Sequence, residues 1–227
     1  AGKAGGRRGR GRIAAPAPSG PDSALSVDAL PRDQGFTRPK VLLLLPQRNL
    51  AFKAVRRLVE LGMRETRADS VTSKEKFVEQ FGPPEAEEPE DDADERARAR
   101  RAAKPGEWRA LFSGNCDDHF RLGIKITRGA VRLFADLFQA DVIVASPLAL
   151  ATRLAEDAAA HGGRPSADVD FLSSIELLVI DRADMLSMQN WQHVETVVAA
   201  LNRVPRDQHG VDIMRVREWY LSGHSSH

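Results

Sequence analysis

Residues 175–186 read Ile175-Glu176-Leu177-Leu178-Val179-Ile180-Asp181-Arg182-Ala183-Asp184-Met185-Leu186, an aliphatic, β-branched run that passes straight into acid. A short apolar run without alternation is the pattern of a parallel strand covered on both faces. An acid directly after it falls at the sheet's C-terminal edge, where open α/β sheets place ligands. Asp181 is therefore a candidate Walker B acid, the residue that holds Mg²⁺ in phosphoryl-transfer enzymes of this architecture, while its neighbour orients or deprotonates the attacking water. Here that neighbour is Arg182. The other reading of Asp181 is a cap for the helix that carries Met185 and Leu186.

Strands and amphipathic helices alternate on both sides of this segment. Val41 to Leu45 is a run of five aliphatics stopped by Pro46, the length of a buried strand. Asn49 is placed to cap the helix that follows, with Leu50, Ala54, Leu58 and Leu61 along one side and Gly62 at its end. Lys74 to Phe81 predicts a short helix with Phe77 and Phe81 one turn apart. Thr127 or Gly129 opens a further helix bearing Val131, Phe134, Leu137 and Phe138, and the strand Val142–Ala145 follows Asp141. Ser146-Pro147 starts the next helix, continued by Leu150 and Leu154. Trp191, Val194, Val198 and Leu201 mark a last long helix, and Trp219–Leu221 a further strand. Such alternation predicts βαβ units and an α/β fold with a mainly parallel sheet.

Composition sets the limits. The chain has 227 residues, 42% of them hydrophobic, enough for one α/β domain with extras. Residues 1–40 are rich in Gly, Pro, Ala and Arg and read as a low-complexity linker, either an RNA-binding Arg/Gly segment or a solvated spacer. The domain is expected over 41–222. It is interrupted by a charged insertion at 83–104, where eight acids between Glu85 and Glu95 give way to Arg96–Lys104, and by a small Ala/Gly/Pro-rich insertion at 157–168. Residues 223–227 form a tail. The acidic run is a solvated segment or an interaction tail for a basic partner. The formal net charge of +1 names no partner. The single Cys116 permits no internal disulfide and points to a reducing compartment, cytoplasm or nucleus. No apolar run approaches a bilayer span, so no membrane partner is expected. A start at Ala and an end at Ser-Ser-His suggest a piece of a longer protein.

Cys116, Asp117, Asp118 and His119 together invite a metal hypothesis, but consecutive residues converge poorly on one ion, and a polar turn between Phe112 and Phe120 is the simpler reading. His161 reads as a loop histidine and His193 as a packing or surface one. No cofactor is assigned.

Three motifs stand in order at the ends of three strands. Pro46-Gln47-Arg48-Asn49-Leu50-Ala51 resembles the Pro-Thr-Arg-Glu-Leu-Ala motif of DEAD-box RNA helicases, Ala145-Ser146-Pro147 the start of their Ala-Thr-Pro-Gly-Arg motif, and Val179–Leu186 their Asp-Glu-Ala-Asp segment. Longer phrases resemble the digestive-organ-expansion-factor family: Asp33-Gln34-Gly35-Phe36-Thr37-Arg38-Pro39-Lys40-Val41, Phe112-Ser113-Gly114-Asn115, Asp117-Asp118-His119-Phe120, Asp170-Phe171-Leu172-Ser173-Ser174-Ile175-Glu176, Met188-Gln189-Asn190-Trp191 and His209-Gly210-Val211-Asp212.

That resemblance implies a degenerate, P-loop-NTPase-like first helicase domain of RecA-like three-layer form. It implies a nucleolar protein of the small-subunit processome, a non-catalytic factor for 18S rRNA processing whose partners are pre-rRNA, a small nucleolar ribonucleoprotein and processome proteins. The residue chemistry can be set beside it. The only Gly-Lys pair is Gly2-Lys3, followed by Ala4, so this chain holds no P-loop, though one could lie upstream. Arg182 stands where the helicase motif has its catalytic Glu and cannot take a proton at pH 7, so Asp181, Arg182 and Asp184 form a degenerate Walker B segment. Leu148-Ala149 replaces Gly-Arg, removing a phosphate-binding charge. Gln47, Arg48, Asn49 and Ser146 remain as candidate RNA contacts, with an exposed loop charge as the alternative for Arg48. The competing expectation is an active ATP-dependent RNA helicase with unusual motifs.

Overall fold

The computed structural model describes residues 32–62, 70–84, 92–163 and 166–223. Among these residues six strands form one mixed sheet in the order β2-β4-β3-β5-β1-β6. They are β1 (Val41–Leu44), β2 (Val71–Thr72), β3 (Arg121–Thr127), β4 (Ala130–Ala135), β5 (Val142–Ala145) and β6 (Leu177–Ile180). β1 pairs in parallel with both β5 and β6, and β2 with β4, whereas β3 runs antiparallel to β4 and β5.

Strand alternation sends β1 and β5 side chains to two helical layers. Leu42, Leu44, Ile143 and Ala145 face α5 (Pro147–Ala160), α6 (Ala183–Gln189) and α7 (Trp191–Ala200), meeting Leu150, Leu186, Val194 and Val197. Val142 and Val144 face α1 (Arg48–Gly62) and α2 (Lys74–Phe81), with Ala51, Val55, Phe77 and Phe81. Phe77 and Phe81 stack at 5.1 Å, the one-turn pairing their spacing predicts. On α1 the deep stripe is Ala51 and Val55; Leu61 lies half in solvent. α3 (Asp92–Ala102) and α4 (Gly106–Leu111) precede the β3–β4 hairpin.

The structure corrects several sequence expectations. The helix predicted from Thr127 or Gly129 is the second strand of that hairpin. Thr127 pairs with Ala130 across a two-residue turn, and Val131, Leu133 and Ala135 are buried while Arg132 is exposed. Val131 and Phe134 satisfy a three-residue period and Val131 and Leu133 a two-residue one; cross-strand pairing with β3 decides for the strand. The sheet is consequently mixed. β6, expected to be covered on both faces, is an edge strand with Leu177 53% and Val179 38% exposed. Trp219–Leu221, expected as a strand, belongs to α8 (Glu218–Leu221), whose Tyr220 is fully buried.

Ordered structure also takes in residues 32–40, which composition assigns to the linker. Gln34 bridges Val216, and Phe36 packs with Val216 and Tyr220. Gly35 is required there, since a Cβ would lie 2.6 Å from that of Ser174. Tyr220 donates its hydroxyl to the Ser174 carbonyl and the Glu176 carboxylate, each at 3.2 Å. Lys40 sits 3.4 Å from Glu176 and over the Tyr220 ring. Burial lowers the Lys40 ammonium pKa, with Glu176 pulling it back. Residues 1–31, 85–91 and 224–227 of the expected linker, insertion and tail lie outside the described residues.

The 157–168 segment is partly structural. Asp157, buried on the last turns of α5, accepts from the backbone N–H of Ser166 at 2.8 Å and from its hydroxyl, and Ser166 in turn caps the 3₁₀ turn Ala167–Leu172. His161 is exposed and its Nδ1 lies 2.9 Å from the Asp157 carbonyl.

Candidate functional site

β5, β1 and β6 are neighbours, so the three motif-bearing loops converge at one sheet edge. The Asp181 N–H donates to the Leu44 carbonyl and the Ser146 N–H to the Phe120 carbonyl. The loops enclose a cavity of about 200 Å³ lined by Pro46, Asp118, Ser146, Leu186, Asn190 and His193. His193 Nε2 lies 3.1 Å from the Asn190 side-chain amide.

The residues proposed for RNA contact are largely turned inward. α1 begins at Arg48, and its first N–H groups, which no helical carbonyl can serve, are taken by another loop: Arg48 N–H by Asp117 at 3.0 Å and Asn49 N–H by Asn115 at 2.8 Å. The Arg48 guanidinium donates to Asp117 Oδ2 at 2.6 Å, to the His119 carbonyl at 2.8 Å and to the Gln80 carbonyl at 3.4 Å, and lies over the Phe81 ring. Asn49, expected as a cap, lies inside α1 and donates to the carbonyls of Leu111 and Ser113 at 2.6 and 2.9 Å. Gln47 and Asn49 are buried, and the side-chain oxygens of both lack a hydrogen-bond partner among the described residues. Ser146 is buried and uses its hydroxyl to cap α5 at the Ala149 N–H, 3.1 Å away.

The Cys116–His119 turn is what receives α1. Asp117 accepts from the His119 N–H at 3.0 Å as well as from Arg48. Burial alone would raise its pKa, but those bonds and the Arg48 charge outweigh it and hold the carboxyl below its ordinary value. Burial raises the Cys116 thiol. Among the described residues no group of three His, Cys, Asp or Glu side chains is placed to share a metal ion.

At the end of β6, Asp181 is exposed and its Oδ1 accepts the Arg182 N–H at 2.9 Å. Arg182 adopts the left-handed conformation at φ 56° and ψ 46°, just before α6. Its guanidinium bonds Asp184 Oδ2 at 2.7 Å. The segment therefore presents one outward carboxylate, a cation, and a second carboxylate already paired with that cation.

Sequence reasoning missed two features. Asn115 and Asp117 cap α1 through backbone carbonyls, which carry no side-chain signature. Lys53, Arg56 and Arg57 line a groove of about 420 Å³ along α1, beside Asn49 and Gly114. Their three- and four-residue spacing was readable as one helix face.

The arrangement defines a class: an α/β domain with a mixed sheet between two helical layers and three polar loops at one sheet edge, the acidic one interrupted by arginine. The chain belongs to the UTP25 family, matching its NTP hydrolase-like domain over residues 15–227. Digestive organ expansion factor is another name of that family. The chain is 48% identical over 202 residues to Protein NUCLEOLAR FACTOR 1 of Arabidopsis thaliana, covering 85% of this chain and 26% of that protein. It is 44% identical to the U3 small nucleolar RNA-associated protein 25 homolog of Xenopus tropicalis, over 84% of this chain and 23% of that one. The Homo sapiens homolog is 39% identical, over 86% and 24%. The chain thus spans about a quarter of the length of the curated relatives it matches. No solved structure matches it. Among the described residues no helix is long and apolar enough to cross a membrane.

Proposed function

We propose that this chain is the RecA-like first domain of a helicase-derived but non-catalytic ribosome-biogenesis factor. It acts in the nucleolus as a scaffold of the small-subunit processome, with pre-rRNA, small nucleolar ribonucleoprotein and processome proteins as partners, and is needed for pre-18S rRNA processing. The names of its relatives, a nucleolar factor and U3 small nucleolar RNA-associated proteins, support the setting.

The observation that carries the non-catalytic reading is the Arg182–Asp184 pair at 2.7 Å. A magnesium–nucleotide complex fits this edge poorly. The position that should orient water is a permanent cation, and that cation neutralises the second carboxylate, leaving Asp181 alone. No hydrolytic step is therefore assigned to these residues.

The test is ATP hydrolysis by the purified full-length protein with and without RNA, together with rescue of depleted cells by Asp181→Ala. Turnover at background level and normal 18S maturation in the rescued cells are expected. RNA-stimulated turnover abolished by Asp181→Ala would sink this reading and leave an active ATP-dependent DEAD-box-type helicase.

A further inference from the structure

Asn49, Phe52, Lys53, Arg56, Arg57 and Glu60 recur every three or four residues along α1, so they share one face of the helix over about 16 Å. This face carries three exposed cations, Lys53, Arg56 and Arg57, against the single carboxylate of Glu60. It borders the groove of about 420 Å³, which the rings of Phe52 and Phe81 also line. Glu60 is shared by Arg56 at 3.8 Å and Arg57 at 3.3 Å, and all three side chains are more than half exposed. Ion pairs of that kind are weak and give way to a polyanion. Gly114 keeps the opposite wall thin: at φ 93° a Cβ would be strained and would stand 3.4 Å from that of Asn49.

Lys53 donates to the Ala110 carbonyl at 3.1 Å and Asn49 to those of Leu111 and Ser113, which ties α4 and the turn after it to the same face. On that segment the rings of Trp108 and Phe112 lie 4.8 Å apart, Lys104 sits over Trp108, and Phe112 is 40% exposed. Cations spaced along a groove beside exposed aromatic rings suit a single-stranded nucleic acid, with charge for the backbone and rings for the bases. A partner helix would need aliphatic pockets, and among the described residues no Leu, Ile, Val or Met lines this groove. The groove shares no lining residue with the cavity at the motif edge.

We propose that the α1 groove binds single-stranded RNA, with phosphates along Lys53, Arg56 and Arg57 and a base against Phe112. That the nucleic acid is RNA rests on the ribosome-biogenesis reading above. The surface draws on neither Asp181 nor Arg182, so binding needs no nucleotide.

Fluorescence anisotropy of the full-length protein with a single-stranded RNA of about 15 nucleotides, across a range of salt, tests it. Three phosphate contacts account for about two units of the slope of log affinity against log salt, at about 0.7 per contact. Lys53→Gln/Arg56→Gln/Arg57→Gln should reduce the slope by that amount and weaken binding about tenfold or more, while glutamine at exposed helix positions leaves folding intact. Arg56→Lys/Arg57→Lys should keep the slope. Phe112→Ala should weaken binding about fivefold at an unchanged slope. Photocrosslinking of the unaltered protein to RNA carrying 4-thiouridine needs no variant, and its adducts should fall within residues 49–60 and 104–114. No RNA binding by the unaltered protein, unchanged affinity and slope in the triple variant, or adducts only elsewhere would each overturn the proposal. So would a triple variant that still binds RNA but no longer binds a polyglutamate peptide, which assigns the groove to an acidic protein segment. None of these failures touches the non-catalytic reading, whereas RNA-stimulated turnover abolished by Asp181→Ala sinks that reading and leaves the slope unchanged.

Discussion

Arg48 Nε donates to Asp117 Oδ2 at 2.6 Å, across 69 residues of chain, and the carbonyl of the same Asp117 accepts the N–H of Arg48 at 3.0 Å. The side chain and backbone of one residue thus close the loop that seals the start of α1. A motif arginine that helicase resemblance would aim at RNA thus has its guanidinium bonded within the domain.

Arg48→Ala should therefore act on stability first. It removes three hydrogen bonds and leaves the Gln80 and His119 carbonyls in need of new partners, a cost of about 1–2 kcal/mol after allowing for the exposed side of Asp117. Arg48→Lys should recover little of it, because an ammonium cannot span the carboxylate and two carbonyls as a guanidinium does. Urea denaturation and the salt dependence of RNA binding check this. Unchanged stability with a salt slope reduced by about one would return Arg48 to the RNA interface.

How far the sequence was legible follows from what each signal encodes. Aliphatic runs at Val41 and Val142, and Ser146-Pro147 before α5, state their structure locally, and all three stand as read. The β3–β4 hairpin was missed because Val131, Phe134 and Phe138 fit a helical period, while the pairing that makes them strand and turn comes from β3. Asp181 and Arg182 were legible as the residues that follow a strand, since the aliphatic run before them stops at Ile180. What surrounds Arg48 and Asn49 was not, because most of the groups they bind are backbone carbonyls of residues 80–119. Exposure of β6 depends on what lies beside it, which no local pattern records.

Asp157 should make stability fall in acid. Burial would raise its carboxyl pKa, but the Ser166 bonds and the charges of His161 and Arg153 hold it below the usual 3.8. A carboxylate whose folded pKa is depressed contributes fully above the unfolded value and loses that contribution as pH falls through it toward the folded value. Asp157→Ala should cost about 2 kcal/mol near neutrality. The gap between wild type and variant should then narrow below pH 3.8. Denaturation midpoints at both ends of the range check it; a constant gap would mean that Asp157 does not titrate differently in the two states.

The charged insertion should be dispensable for folding. The described residues 96–104 are all exposed, and none enters a core cluster. Replacing residues 85–103 with a short Gly/Ser linker should leave the thermal midpoint within about 2 °C, because loop length enters closure entropy only logarithmically. A larger loss would show that the insertion is packed against the domain.

Arg182 offers a test of backbone strain at the end of β6. Its left-handed φ of 56° costs about 1 kcal/mol for any residue with a Cβ and little for glycine. The Asp184 pair offsets only part of that, because the two side chains are 36% and 59% exposed. Arg182→Ala loses the pair and keeps the strain, whereas Arg182→Gly loses the pair and relieves it. The glycine variant should therefore be more stable than the alanine variant by roughly 1 kcal/mol, and close to wild type. Equal stabilities for the two variants would mean that the segment relaxes out of the left-handed conformation when the guanidinium is removed, so that the Asp184 contact is what imposes it.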